Sequence, residues 1–163
     1  MSTDIHIRPA EKADARRISY LIQRNTERVP ENHYTPKQVA TWKKANTPGQ
    51  IRAQLTQRSI FCAFRNQRLV GTIALQGREV VGLYVSYSIR RAGIGGFLLQ
   101  YVEAVARAKG IRQLYLTATP AARYFYANRG YQVIETVQVN ISGVDFEETA
   151  MQKLLSAGKE SES

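Results

Sequence analysis

Apolar residues recur every second position in some stretches and at helical spacing in others, and the switches between these periods divide the chain into elements. Asp4 to Arg8 reads as a first strand. A helix follows from about Lys12, where Ala15, Ile18, Leu21 and Ile22 keep the helical period. Thr35-Pro36 and Thr47-Pro48 each offer a capping hydroxyl followed by a proline at the first helical position, predicting short helices near 36–45 and 48–57. Strands are predicted at about 60–65, 69–76 and 79–85. Ile94, Leu98, Val102, Val105 and Ala106 then mark a long amphipathic helix that stops at Gly110. Gln113 to Thr117 reads as a strand, Thr119-Pro120 as the start of a helix ending near Gly130, and 131–140 and 144–154 as closing strands. A chain of 163 residues fits one domain, taken as 1–155, with a polar and disordered tail at 156–163. There is no internal repeat.

Charge adds a constraint. Twenty-three Lys and Arg against 13 Asp and Glu give a formal charge of +10, spread from Arg8 to Lys159 rather than blocked. An anionic ligand is expected, and the rest of the excess reads first as solvated surface and second as a footprint for RNA. No apolar run of membrane-spanning length and no basic, apolar leader is seen, so the expected compartment is the cytoplasm, with no membrane partner. The single cysteine, Cys62, alternates with Ile60 and Phe64 onto one strand face and reads as a buried thiol.

The candidate chemistry sits where the apolar strand Val80 to Val85 meets the long helix. Arg90-Arg91-Ala92-Gly93-Ile94-Gly95-Gly96 brings glycines to a helix N-terminus, where backbone N–H groups can approach an anion closely, and so reads as a pyrophosphate cradle. A dinucleotide fingerprint needs a glycine where Leu98 stands and an acidic residue about 20 positions on. A P-loop needs Gly-Lys-Ser/Thr where Phe97 and Leu98 follow Gly96. Both are set aside.

What remains is Arg/Gln-x-x-Gly-x-Gly, matched by Arg90, Gly93 and Gly95, with Phe125-Tyr126-Ala127-Asn128-Arg129-Gly130-Tyr131 downstream. Together with Ile7-Arg8-Pro9-Ala10, Asp14 and Leu83-Tyr84-Val85, these residues resemble the GCN5-related N-acetyltransferase (GNAT) family over most of residues 4 to 155. The resemblance implies an α/β (α+β) fold: a central mixed, largely antiparallel sheet of six to seven strands flanked by helices, with a splayed parallel pair at the cofactor site. It implies acetyl-CoA as cosubstrate, held by Leu83, Tyr84, Val85 and the stretch Arg90, Arg91, Ala92, Gly93, Ile94, Gly95 and Gly96. It implies direct acetyl transfer to a primary amine of a small molecule or peptide in a ternary complex, and no metal is expected.

Within that resemblance Tyr126 matches the tyrosine that protonates the departing thiolate, its phenol pKa of about 10 making the transfer nearly isoenergetic. Core packing is the competing reading for this ring, and Tyr124 is the reserve donor. Glu79 matches a glutamate that several members use to take the amine proton, commonly through water. His33 is the other candidate base; with Tyr34 and Glu31 it falls where the acceptor is bound, and Glu27, Asp145, Glu147 and Glu148 come from the regions that wall it. Two positions depart from the family pattern: Tyr87 stands where a proline is common, and Ala118-Thr119-Pro120 where an asparagine is common. Two alternatives stay open: an acetyltransferase for an amine on aminoacyl-tRNA or another nucleic acid, favoured if Lys37, Lys43, Lys44, Arg52 and Arg58 cluster, and a non-catalytic coenzyme A-binding module. Homodimerisation is also left open.

Overall fold

The computed structural model describes residues 4–28 and 33–156. Its strands are β1 (Ile5–Pro9), β2 (Ser59–Arg65), β3 (Arg68–Gln76), β4 (Glu79–Val85), β5 (Gln113–Ala118), β6 (Gln132–Ile141) and β7 (Val144–Leu154). Its α-helices are α1 (Ala15–Glu27), α2 (Pro36–Ala45), α3 (Pro48–Gln54), α4 (Ile94–Ala108) and α5 (Arg123–Ala127), with 3-10 turns at Lys12–Asp14 and Tyr87–Ala92. The strands form one seven-stranded sheet in the order β1-β2-β3-β4-β5-β7-β6. Every neighbouring pair is antiparallel except β4 and β5.

Alternation along the strands feeds two cores. Phe61 and Ala63 join α4 residues Ile94, Leu98 and Val102 on one face of the sheet, while Ile60, Cys62 and Phe64 join Ile18, Leu21, Ile22 and Ile51 on the other. Cys62 is buried as expected, and burial pushes its thiol up to about 12. On the α4 face a Cβ at Gly71 would meet Leu98 Cδ1 at 2.9 Å, so this glycine sets how closely α4 lies on the sheet. Near the other end of α4, buried Glu103 accepts from the Tyr131 hydroxyl at 2.9 Å and from Lys153 Nζ at 3.1 Å. Its charge is therefore paired, and the helix is tied to the residue that follows Gly130.

The helix caps follow the sequence reading. Thr35 Oγ1 accepts from Gln38 N at 3.1 Å while Gln38 Oε1 accepts from Thr35 N at 2.8 Å, and Thr47 Oγ1 accepts from Gln50 N at 3.3 Å. Two expected helices are shorter than predicted. Residues 120–122 form a turn, with Ala122 N–H donated to the Thr119 carbonyl at 3.0 Å, so Thr119-Pro120 precedes α5 without starting it. The α3 helix ends at Gln54, where Thr56 N–H and Oγ1 both turn back to the Ala53 carbonyl. The expected tail, from residue 157 on, lies outside the described residues, and among the described residues no helix is long and apolar enough to cross a membrane.

Candidate functional site

The parallel pair is where the sheet opens. Strands β4 and β5 meet only at Glu79 opposite Tyr115, with Tyr115 N–H donated to the Arg78 carbonyl at 3.0 Å. Beyond that point β4 is paired on its β3 side alone, Leu83 with Ile73, Tyr84 with Thr72 and Val85 with Gly71. An irregularity between Ile73 and Leu75 places Val81 and Gly82 in a bulge, Gly82 at φ +146°. Along Leu83, Tyr84 and Val85 this leaves a backbone edge unpaired on the β5 side, and at Leu83 and Tyr84 it lines a cleft of about 480 Å³ between β4 and the 117–122 segment.

At the end of β4 the chain makes the 3-10 turn Tyr87–Ala92 and enters α4 through Gly93, whose φ of +80° is left-handed and favours glycine. The carbonyl of Gly93 accepts the N–H of Phe97 at 3.1 Å, leaving the N–H groups of Ile94, Gly95 and Gly96 without helical acceptors. A Cβ on Gly95 would meet Phe125 Cζ at 3.2 Å, and one on Gly96 would meet Arg129 Nε at 3.1 Å. The glycines therefore bring α5 and its following turn against the helix N-terminus. Arg129 lies there, its Cζ 3.9 Å from the Phe125 ring centroid and its Nη1 donating to the Phe125 carbonyl at 3.0 Å. Sequence reasoning gave Arg129 no role, although it lies between Tyr126 and Gly130 in the downstream motif. Arg90, Arg91 and Ala92 run in the 3-10 turn, and their side chains lie outside what is described.

The cleft collects residues distant in sequence. Tyr126, 8 % exposed, reaches it from α5, its ring edge-on to Phe125 and Tyr131 at centroid distances of 5.2 and 5.8 Å. Burial, then the neighbouring Tyr84 and Glu148, push its phenol well above the ordinary value. The hydroxyl therefore stays protonated at neutral pH and is available as a donor. Tyr84 also lines the cleft, with its hydroxyl accepting from Trp42 Nε1 at 2.9 Å.

Two carboxyls face this space. Glu79 lies at the start of β4, and burial pushes its pKa up against the opposing pull of Arg58. Glu148 of β7 is 4 % exposed; burial raises its pKa, a hydrogen bond from Thr117 opposes this, and the charge of Glu79 raises it further. Tyr34 lines the same cleft, its ring edge-on to Phe146 at 5.6 Å, and its buried hydroxyl has no hydrogen-bond partner among the described residues. His33 is exposed at the mouth, and Glu31 lies outside the described residues.

Strand alternation separates the other acids. Asp145 and Glu147 are exposed on β7, Asp145 Oδ1 accepting from Asn140 Nδ2 at 2.8 Å, so of the three only Glu148 faces inward. Glu27 is bonded to Lys43 at 2.8 Å. That ion pair, with Arg58 lining the cleft, takes two members out of the basic cluster envisaged around Lys37, Lys44 and Arg52.

Comparisons with known proteins agree with this geometry. Residues 30–155 match the acetyltransferase (GNAT) domain family. The fold superposes on a GCN5-related N-acetyltransferase from Rhodopseudomonas palustris with a TM-score of 0.88 and 25% identity, covering 95% of this chain and 98% of that one. It superposes on the PaiA N-acetyltransferase of Thermoplasma acidophilum, in complex with coenzyme A, with a TM-score of 0.77 and 19% identity over 93% of this chain and 99% of that one. Mouse N-alpha-acetyltransferase 80 is 48% identical over 54 residues, 33% of this chain, a match that spans only 17% of that protein's length. A sheet splayed at its parallel pair, a glycine-lined helix N-terminus beside the splay and the match over residues 30–155 together make this chain a member of the GNAT acetyltransferase family.

Proposed function

We propose that the protein transfers the acetyl group of acetyl-CoA to a primary amine of a small molecule or peptide by direct attack in a ternary complex. The observation that carries this reading is the β4–β5 splay, with an anion-ready helix N-terminus on one side and a cleft containing Tyr126, Glu79 and Glu148 on the other. When bound, the cosubstrate supplies the activated thioester. The N–H groups of Ile94, Gly95 and Gly96, which have no helical acceptor, fit its pyrophosphate, and Arg129 supplies a cation beside them. Arg90 and Arg91 remain assigned to the same phosphates. The unpaired edge of Leu83, Tyr84 and Val85 can bond an extended amide-bearing arm as a further strand would, and a backbone N–H there can face the thioester carbonyl.

On the acceptor side Glu148 attracts an ammonium group, and Glu79 takes its proton, directly or through water, so that the amine attacks neutral. The N–C bond forms as the C–S bond breaks, Tyr126 donates its hydroxyl proton to the leaving sulfur, and the second proton shed by the new amide nitrogen returns to the tyrosinate through water. Its elevated pKa keeps that proton in place until the thiolate develops. His33 and Tyr34 belong to the acceptor wall, and Glu31 is assigned to the same loop. Nitrogen as the acceptor atom is supported by the names of the relatives, an N-alpha-acetyltransferase and an N-acetyltransferase among them. The cytoplasm is the compartment this chemistry suits.

The test is amine-dependent thiol release from acetyl-CoA across polyamines, amino acids, aminoglycosides and peptides, with the acetylated product identified by mass spectrometry. Release with at least one amine is expected. Stabilisation by acetyl-CoA with no turnover on any amine would return the non-catalytic reading.

A further inference from the structure

A second concave surface, of about 540 Å³, runs between α1, the β2–β3 turn and the start of the 3-10 turn after β4. It presents Arg16, Arg24, Arg28 and Arg68 with the rings of Tyr20 and Tyr87, and no carboxylate among the described residues lines it. Among the described residues none of these four arginines makes an ion pair. The nearby acids are engaged: Asp14 holds Arg8 and Arg17 at 2.8 and 2.9 Å, and Glu27 holds Lys43. Arg24 and Arg28 suit the C-terminal end of α1, where helix carbonyls favour cations, but Arg16 stands in its first turn, where a cation is disfavoured. Helix stability therefore does not account for the arrangement.

Its spacing and its rings narrow the ligand. Arg16, Tyr20 and Arg24 follow one another at four-residue intervals, about 6 Å apart along the helix axis, so guanidinium and aromatic groups alternate along one wall. Tyr20 is 66 % exposed and Tyr87 41 %. Arg24 Cζ lies 5.7 Å from the Tyr20 ring centroid and Arg28 Cζ 4.6 Å from that of Tyr87. Cations that track phosphates beside exposed rings that stack on bases are the physical pattern of a single-stranded nucleic-acid groove, whereas an acidic peptide gives no use for the rings. A formal charge of +10, present although the acceptor cleft itself holds carboxyls, points to the same class of ligand. Asn25 lines both this groove and the acceptor cleft, so the two adjoin there.

We propose that the α1 groove docks a single-stranded nucleic acid alongside the acceptor cleft. Only the purpose of that placement rests on the acetyltransferase reading; the binding does not. The experiment is fluorescence anisotropy with a labelled oligouridylate of about 12 nucleotides, with and without coenzyme A, compared with a blunt duplex and with polyglutamate of equal charge. The oligouridylate is expected to bind more tightly than either, with or without coenzyme A. Arg16→Glu with Arg24→Glu should lower its affinity more than tenfold and flatten the salt dependence by about 0.7 for each phosphate no longer neutralised. Tyr20→Ala should weaken the oligouridylate about tenfold and leave polyglutamate unchanged. Unaltered thermal stabilisation by acetyl-CoA in each variant shows that the fold and the glycine cradle are intact. Equal affinity in parent and variants, loss of binding on adding coenzyme A, or preference for duplex or polyglutamate would each overturn the proposal. Amine-dependent turnover, measured separately, reports on the acetyltransferase reading whichever way the groove experiment falls.

Discussion

The Trp42 indole N–H donates to the Tyr84 hydroxyl at 2.9 Å, joining α2 to the strand that forms the open edge of the cleft. Trp42 also packs edge-on against Phe146 at 5.3 Å, so one side chain links the helical wall, β4 and β7. Trp42→Phe keeps an aromatic ring and removes the donor. Loss of the hydrogen bond is expected to cost about 1 kcal/mol of stability. Because the bond joins side chains on the proposed acceptor wall, while the cosubstrate arm is proposed to pair with the Tyr84 backbone, KM for the amine should rise several-fold while acetyl-CoA affinity holds. Denaturant titration and steady-state kinetics on the best amine check both; an equal loss for the two substrates would place the Trp42–Tyr84 bond elsewhere in function.

Glu148 should reduce stability at neutral pH. Its carboxyl is pushed up in the folded protein, so its favourable contribution is complete below the unfolded carboxylate range of about 4.3 and is lost as pH rises through the folded value. Glu148→Gln is therefore expected to melt at a higher temperature than the parent near neutral pH, by about 2–4 °C for each kcal/mol relieved, and to lose that advantage in acid. Melting curves across pH check the sign, and amine turnover of the same variant should fall.

The glycine cradle gives a ligand-linked prediction. Acetyl-CoA at about 100 times its Kd should add roughly 2.7 kcal/mol of stability to the parent. Gly95→Glu should abolish that gain, because a Cβ there already meets Phe125 at 3.2 Å and the added carboxylate repels phosphate. Calorimetry showing parent-like binding would rule out the cradle as the phosphate site.

The order of elements was legible because periods and caps are local. Thr35-Pro36, Thr47-Pro48 and the alternation through Cys62 each carry their physics within a few residues, and the family resemblance supplied the splayed pair. Less legible was everything that depends on which strands become neighbours. Glu148 could not be told from Glu147 and Asp145 until pairing with β5 and β6 fixed which face of β7 points inward. Arg129 belongs to the downstream motif, yet its position over α4 depends on Gly96 admitting it. The shortened α5 was missed because a proline after threonine signals a helix start and a turn equally well. The arginine groove brings α1 to the β2–β3 turn, and no local pattern reports that meeting.

Asp14 supplies an acid-sensitive anchor for the α1 side of the sheet. It accepts from Arg8 at 2.8 and 3.0 Å, from Arg17 at 2.9 Å and from Glu11 N at 2.7 Å, and the Arg8 hydrogen bond is the main reason its pKa is lowered. A lowered carboxyl stabilises the fold above its unfolded pKa of about 3.9 and loses that contribution as pH falls through the folded value. Asp14→Ala should cost about 2–4 kcal/mol near neutral pH, with the difference shrinking in strong acid. Urea titrations at several pH values check it, and a pH-independent difference would assign the cost to packing.

The most direct measurement for the acetyl-transfer mechanism is kcat for Tyr126→Phe beside its affinity for acetyl-CoA. The variant keeps the ring that packs on Phe125 and Tyr131 and deletes only the buried hydroxyl. With Tyr126 as proton donor, kcat on the best amine falls about 100- to 10,000-fold while acetyl-CoA binding and melting temperature change little. An unchanged kcat, with the chemical step shown to be rate-limiting, would contradict that role and leave Tyr126 as a packing residue.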